Sequence, residues 1–211
     1  MAAAVLGIAA MVTALVQGNG SVTNFFSYFT IESNILAAVV FLIGGLRDPR
    51  SQRWAFVRGA TTLYMVITGI VYAVLLAKVD VQLQAAWTNA TLHRILPLLL
   101  LADWVFFPPW PRIRPVRALA WLALPLAYFA YSLIRGPVAD WYPYPFLDPR
   151  PHGYDHVVVY ALVLAAGMAV LALAVWRVGA QRLESGAGEH DVEPRPRPGT
   201  GDRPPVRRRA R

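Results

Sequence analysis

The chain has 211 residues, of which 56% are apolar and 15% charged, with no cysteine and a formal net charge of +8; ordinary soluble domains run at roughly 45 to 50% apolar and about 25% charged. Without cysteine there is no disulfide scaffold, no cysteine-held zinc or iron–sulfur centre and no thiol nucleophile. The charge is concentrated at the end, with nine Arg against five acids from Arg177 onward, so the rest of the chain is more apolar than the average suggests.

Six apolar runs follow one another, at 2–16, 25–46, 59–77, 89–107, 116–134 and 157–176. Most reach the roughly 17 to 25 residues that carry an α-helix across a bilayer. Strand-like alternation is absent, and hydrocarbon offers backbone groups no water, so each run is predicted to be a helix. The expected architecture is all-α: a polytopic domain of six transmembrane helices over residues 1–178, then a disordered, basic Arg/Pro-rich tail over 179–211. The first run is the weakest span, because fifteen residues make about 22 Å of helix against a hydrocarbon core of about 30 Å. No basic residue precedes it, which argues against a cleaved signal peptide.

Basic residues punctuate the runs instead of painting one face, which points to the lipid bilayer as partner and away from nucleic acid. Arg47, Arg50, Arg53 and Arg58 separate runs two and three, Arg112, Arg114 and Arg117 separate runs four and five, and the Arg-rich tail follows run six. The alternate loops hold only Lys78, or Arg135 with Arg150. This asymmetry predicts a multi-pass protein of the plasma membrane with both termini cytoplasmic. Trp87, Trp110, Trp141 and Trp176 fall near the run ends, as interface anchors do.

Polar residues inside such runs cost free energy and mark where function is to be sought. Run two carries Thr30, Glu32 and Asn34; run four carries His93, Arg94 and Asp103. Both runs start on the outer side. At 1.5 Å per residue Thr30 and His93 each lie about 6 to 8 Å below their entry points, so a hydroxyl and an imidazole share one depth. Asn34 is one turn below Thr30 on the same face, where its amide is placed to orient a base or donate to an oxyanion, while Glu32 points the other way. Pro97 is expected to deprive the carbonyl of His93 of its helical partner. Asp103, about 15 Å further along, is too deep to orient His93 and is expected to pair with another buried polar group.

These residues suit a hydroxyl nucleophile whose proton is taken by a neutral imidazole, attacking an acyl carbonyl. The bland alternatives are a threonine bonding back to its own helix and an interfacial histidine. A second constellation lies in the Pro-rich, aromatic segment 135–154, a possible lid, with Asp140, Asp148, His152, Asp155 and then His156. If helix six began early, His152 and His156, with Asp155 or His93, would suit zinc. Pro151 and Gly153 argue against a regular helix there, so neither metal nor cofactor is expected.

The Tyr28-Phe29-Thr30 start with Ser33-Asn34, the segment from Asn89 to His93 followed by Pro97, and Tyr142-Pro143-Tyr144-Pro145-Phe146-Leu147-Asp148 resemble the bacterial Pr6Pr membrane family. That family is similar, more distantly, to the androgen-induced proteins of eukaryotes, six-helix membrane hydrolases that cleave fatty acid esters of hydroxy fatty acids with a threonine and a histidine. The resemblance covers most of residues 5–176. It implies Thr30 as nucleophile and His93 as base, with Asn34 and Asn89 as supporting residues and a lipid-like small molecule as substrate. The eukaryotic pattern has a second histidine where Ala90 stands here. Three function classes remain open on the sequence: an acyl-ester hydrolase, a lipid-binding or transport protein, and a structural membrane protein.

Overall fold

The computed structural model describes residues 1–18, 20–47, 49–78, 85–107 and 113–190, with side chains as far as Gln181. Among the described residues every regular element is helical. Four helices are long and apolar enough to cross a membrane: Phe29–Arg47, Gln52–Leu76, Pro115–Ala139 and Gly153–Gln181. The two other expected spans differ. Helix α1 (Ala2–Gln17) is apolar but only 16 residues long. The fourth run is α5 (Ala86–Ala90), a π-helical turn (Thr91–Ile95) and α6 (Leu96–Phe106), and it carries Asn89, His93, Arg94 and Asp103, which lower its mean hydropathy.

Run two, expected as one helix, is broken into α2 (Val22–Phe26) and α3 (Phe29–Arg47). Ser27 is the cause: its hydroxyl donates to the Thr23 carbonyl at 2.7 Å, and its own carbonyl leaves the ladder to accept the Tyr128 hydroxyl at 2.9 Å. Helix α4 (Gln52–Val71) ends in a second π turn (Tyr72–Leu76). Next come α7 (Pro115–Leu119), a 3-10 turn (Ala120–Leu122), α8 (Ala123–Ala139), the 3-10 turn Pro145–Leu147 and α9 (Gly153–His190). Residues 179–190 therefore continue a helix where the sequence reading placed the start of a disordered tail. The remainder of that tail, like Trp110 and Arg112, lies outside the described residues.

Helix α4 is the hub, packed against α3, α6, α7 and α9. Its small residues let neighbours approach, the usual device where lipid removes any hydrophobic drive between helices. Thr61 and Thr62 return their hydroxyls to the carbonyls of Val57 and Arg58 at 2.9 and 2.8 Å, which hides their polarity. The buried rings of Trp104 and Trp121 meet edge to face, 6.2 Å apart at 85°. The indole of Trp104 donates to the Val175 carbonyl of α9 at 2.8 Å. Pro125 has no N–H for the Trp121 carbonyl four residues back, and the Tyr64 hydroxyl donates there instead at 2.9 Å. Asp103 finds its partner in Arg58 of α4, 2.6 Å away, whose guanidinium also donates to the Phe107 carbonyl at 2.9 Å.

The Trp104–Trp121 pair exists because residue 59 is glycine: a Cβ there would fall on the Trp121 ring and 2.9 Å from Trp104. Overpacking of this kind costs about 1–3 kcal/mol. Gly59→Ala is expected to lower the thermal unfolding midpoint in detergent, whereas Gly167→Ala in α9, where nothing lies within 4 Å, leaves it unchanged or raises it.

Candidate functional site

The break at Ser27 and Tyr28 sets Thr30 at the second position of α3. The first N–H groups of a helix have no partner inside it and carry the positive end of its dipole. Those of Ile31 and Glu32 donate to the Tyr28 carbonyl at 2.9 and 3.2 Å. That of Thr30 donates to the hydroxyl of Tyr144 at 3.3 Å. Thr30 is thus a buried hydroxyl on a helix start, whereas the sequence reading had it one turn inside a continuous helix.

The opposing residue stands in the other irregular helix. In the π turn the N–H of Leu96 reaches back to Thr91 instead of Leu92. The carbonyl of Leu92 would then need the N–H of residue 97, which is proline. The group orphaned by Pro97 is therefore the carbonyl of Leu92, one residue before the His93 carbonyl that an unbroken α-helix predicts. Asn34 takes it up: its Nδ2 donates to Leu92 at 3.2 Å and to the Thr30 carbonyl at 2.8 Å. Both amide hydrogens are spent clamping α3 to the π turn. This corrects the role expected for Asn34, which has no donor left for a base or an oxyanion.

The clamp brings the two candidate residues together. Thr30 Oγ1 lies 3.4 Å from His93 Nε2, and both are buried. The far nitrogen, Nδ1, lies 3.3 Å from the Asn89 carbonyl. A carbonyl only accepts, so Nδ1 carries the proton and Nε2 turns its lone pair to Thr30. Asn89 supports the site through its backbone; its side-chain amide donates to the Tyr72 hydroxyl at 2.8 Å. The Tyr72 ring stacks on the imidazole, centroids 4.3 Å apart at 23°, and fixes its plane. Nothing in an apolar run marked Tyr72 as a partner.

Thr30 and His93 line a cavity of about 380 Å³ together with the end of α1 (Ala14, Leu15, Gly18), Tyr28, and the segment after α8 from Trp141 to Pro151. Glu32 is not among its lining residues. The segment earlier read as a lid does form a wall. Tyr144 is its inner point, with its hydroxyl 3.4 Å from Thr30 Oγ1, and its ring stacks on Phe146, which stacks on Tyr160 of α9. Burial pushes the Tyr144 hydroxyl up to about 12, so it keeps its proton at neutral pH. Sequence reasoning placed Tyr144 within a motif but gave it no task.

Arg150 holds the outer part of the wall. Its guanidinium pairs with Asp148 and Asp140 at 2.7 Å each and lies 5.3 Å from the Tyr142 ring centroid, while holding the Asp148 carboxyl below the usual carboxylate range. The Tyr142 ring in turn packs on Gly136, where a Cβ would overlap it. The alternative zinc set does not assemble: His152 and His156 lie ring against ring at 4.8 Å, but among the described residues no three His, Asp or Glu side chains converge. The site needs no cofactor for the chemistry considered below.

No protein-family model, curated protein or solved structure matches this chain.

Removal of the clamp is expected to be costly, because two buried carbonyls lose their donor. Asn34→Leu should cost about 1–3 kcal/mol of stability, read as a lower unfolding midpoint in detergent. Asn34→Asp, which turns acceptors on acceptors, should cost more.

Proposed function

We propose that the protein is a membrane-embedded hydrolase of lipid-like acyl esters, with Thr30 as nucleophile and His93 as general base. The observation that carries this is the 3.4 Å approach of Thr30 Oγ1 to a His93 Nε2 whose other nitrogen faces a carbonyl, at the wall of a cavity. A hydroxyl is a poor nucleophile until a neighbouring base takes its proton, and a helix start favours the negative charge that develops beside it. The lining sets aromatic and aliphatic side chains beside the polar Ser21, Asn24, Thr30 and His93, and its one carboxylate, Asp148, is paired with Arg150; the apolar part suits an ester with apolar arms. The resemblance to the Pr6Pr family falls on the same Thr30 and His93.

Thr30 attacks the ester carbonyl while His93 takes its proton, the alcohol departs with that proton, and water returns the acyl group as a carboxylic acid by the same route. With purified protein and an acyl-ester series, Thr30→Ala should abolish turnover and labelling by a covalent hydrolase probe. Thr30→Ser should retain part of the activity, and His93→Ala should lower the rate by roughly 100- to 10,000-fold. His152→Ala should have no effect. A cavity of 380 Å³ also lies within the size range of ordinary ligand sites, so saturable lipid binding without turnover would replace the hydrolase reading by one of lipid binding or transport.

The topology proposed with it has six spans in the plasma membrane and both termini in the cytoplasm, with α1 and residues 86–106 completing the four longer spans. Its support is the placement of Arg47, Arg50, Arg53, Arg58, Arg112, Arg114 and Arg117 on one side. The cavity, bounded by the segment between α8 and α9, then opens outward. The chain has no cysteine of its own. A single Cys at Gly153 should react with an impermeant thiol reagent in intact cells and one at Gly188 should not; the reverse pattern would refute the orientation.

A further inference from the structure

An ester attacked by Thr30 gains a full negative charge on its carbonyl oxygen, and a site without donors for that oxygen would lose most of its catalytic power. Of the amides nearest the pair, Asn34 is spent on two carbonyls and Asn89 turns its Nδ2 to the Tyr72 hydroxyl. Arg135, beside the cavity mouth, is turned to the Asn24 side chain at 2.6 Å and to the face of Trp141. The hydroxyl of Tyr144 is different. It lies 3.4 Å from Thr30 Oγ1 and accepts the Thr30 N–H at 3.3 Å. With the Thr30 proton directed to His93, the Tyr144 O–H donates to Thr30 Oγ1.

Resting on the hydrolase reading above, we propose that Tyr144 is a catalytic residue, the oxyanion donor of the site, acting together with the backbone N–H of Thr30. Both donors lie beside the nucleophilic oxygen, the phenol 3.4 Å from it and the N–H on the same residue. As Oγ1 bonds to the carbonyl carbon its proton passes to His93, and the carbonyl π pair moves onto oxygen. That oxygen takes the Tyr144 O–H, released from Oγ1, and the Thr30 N–H, released from the phenol. When the carbonyl re-forms, the bond to the alcohol oxygen breaks, the alcohol takes the proton from His93, and the two donors return to their resting partners. The phenol supplies a hydrogen bond throughout and never loses its proton.

Tyr144 belongs to no membrane-crossing helix. It is brought to Thr30 by the segment that Arg150 ties to Asp140 and Asp148 and that Phe146 and Tyr160 back from behind. The oxyanion site is therefore complete only with this segment seated, which makes the segment part of the catalytic apparatus as well as a cover.

The test uses the full chain in detergent with p-nitrophenyl acyl esters and a trifluoromethyl ketone of matching acyl length, whose adduct with Thr30 carries the oxyanion. Tyr144→Phe should lower kcat by roughly 100- to 1,000-fold with KM changed by less than about threefold. It should weaken the ketone by a similar factor while leaving the affinity of an unreactive ether analogue intact. Should the phenylalanine variant unfold, 3,5-difluorotyrosine at position 144 keeps the shape and ionises at lower pH; a new fall of kcat as pH rises is then expected. Unchanged kcat, equal losses for ketone and ether, or no new limb in the pH profile would each overturn the role of Tyr144 while leaving Thr30 and His93 in place. Absence of turnover by the unmutated protein would remove the hydrolase reading and this role with it.

Discussion

A peptide group that leaves the helical ladder inside an apolar bundle has no water to turn to, and leaving it unpaired costs several kcal/mol. That constraint organises this molecule. Its helices are interrupted at Ser27, at the π turn of residues 91–95 and at Trp121, and each interruption strands a carbonyl. Tyr128 ties up the first, Asn34 the second and Tyr64 the third. Each repair comes from a different helix, so these three irregularities double as cross-links. Two of them, at Ser27 and the π turn, face each other, and the Thr30–His93 pair lies between them.

The resulting centre is built from neutral groups. Where many hydroxyl–imidazole pairs employ a carboxylate behind the imidazole, the group here is the Asn89 carbonyl, with Tyr72 stacked alongside. A buried carboxylate would need several further donors to offset its desolvation. The peptide carbonyl orients the ring without that burden. Of the charged residues nearby, Arg94 lies 5.7 Å from the Tyr72 ring centroid and Arg150 pins the cover.

The depth shared by Thr30 and His93 was legible in the sequence because the rise of a helix is fixed and two polar residues stand out in apolar runs. What stayed hidden has physical causes. The break at Ser27 leaves no mark, since Ser-Tyr-Phe is compatible with a continuous helix, and only a hydroxyl arriving from α8 shows that the ladder has opened. Asn34 was assigned to chemistry because its spacing puts it under Thr30; that the same spacing lets it bond back to the Thr30 carbonyl depends on where Leu92 lies. Tyr144 sits in a segment whose path no periodicity governs. The end of run six was placed at the last apolar residue, whereas α9 continues through a stretch in which charged and small residues keep helical geometry.

Helix α9 has 38 residues without an interruption, about 57 Å at 1.5 Å per residue. Even tilted by 40° such a rod outreaches a hydrocarbon core of about 30 Å. It behaves mechanically as a beam, held part-way along where Trp104 bonds to Val175 and carrying near one end the Tyr160 ring that backs Phe146 and Tyr144. A change of tilt about that fulcrum displaces the two ends in opposite directions. The rod thus links the Val175 contact mechanically to the end that lies beside the phenol facing Thr30.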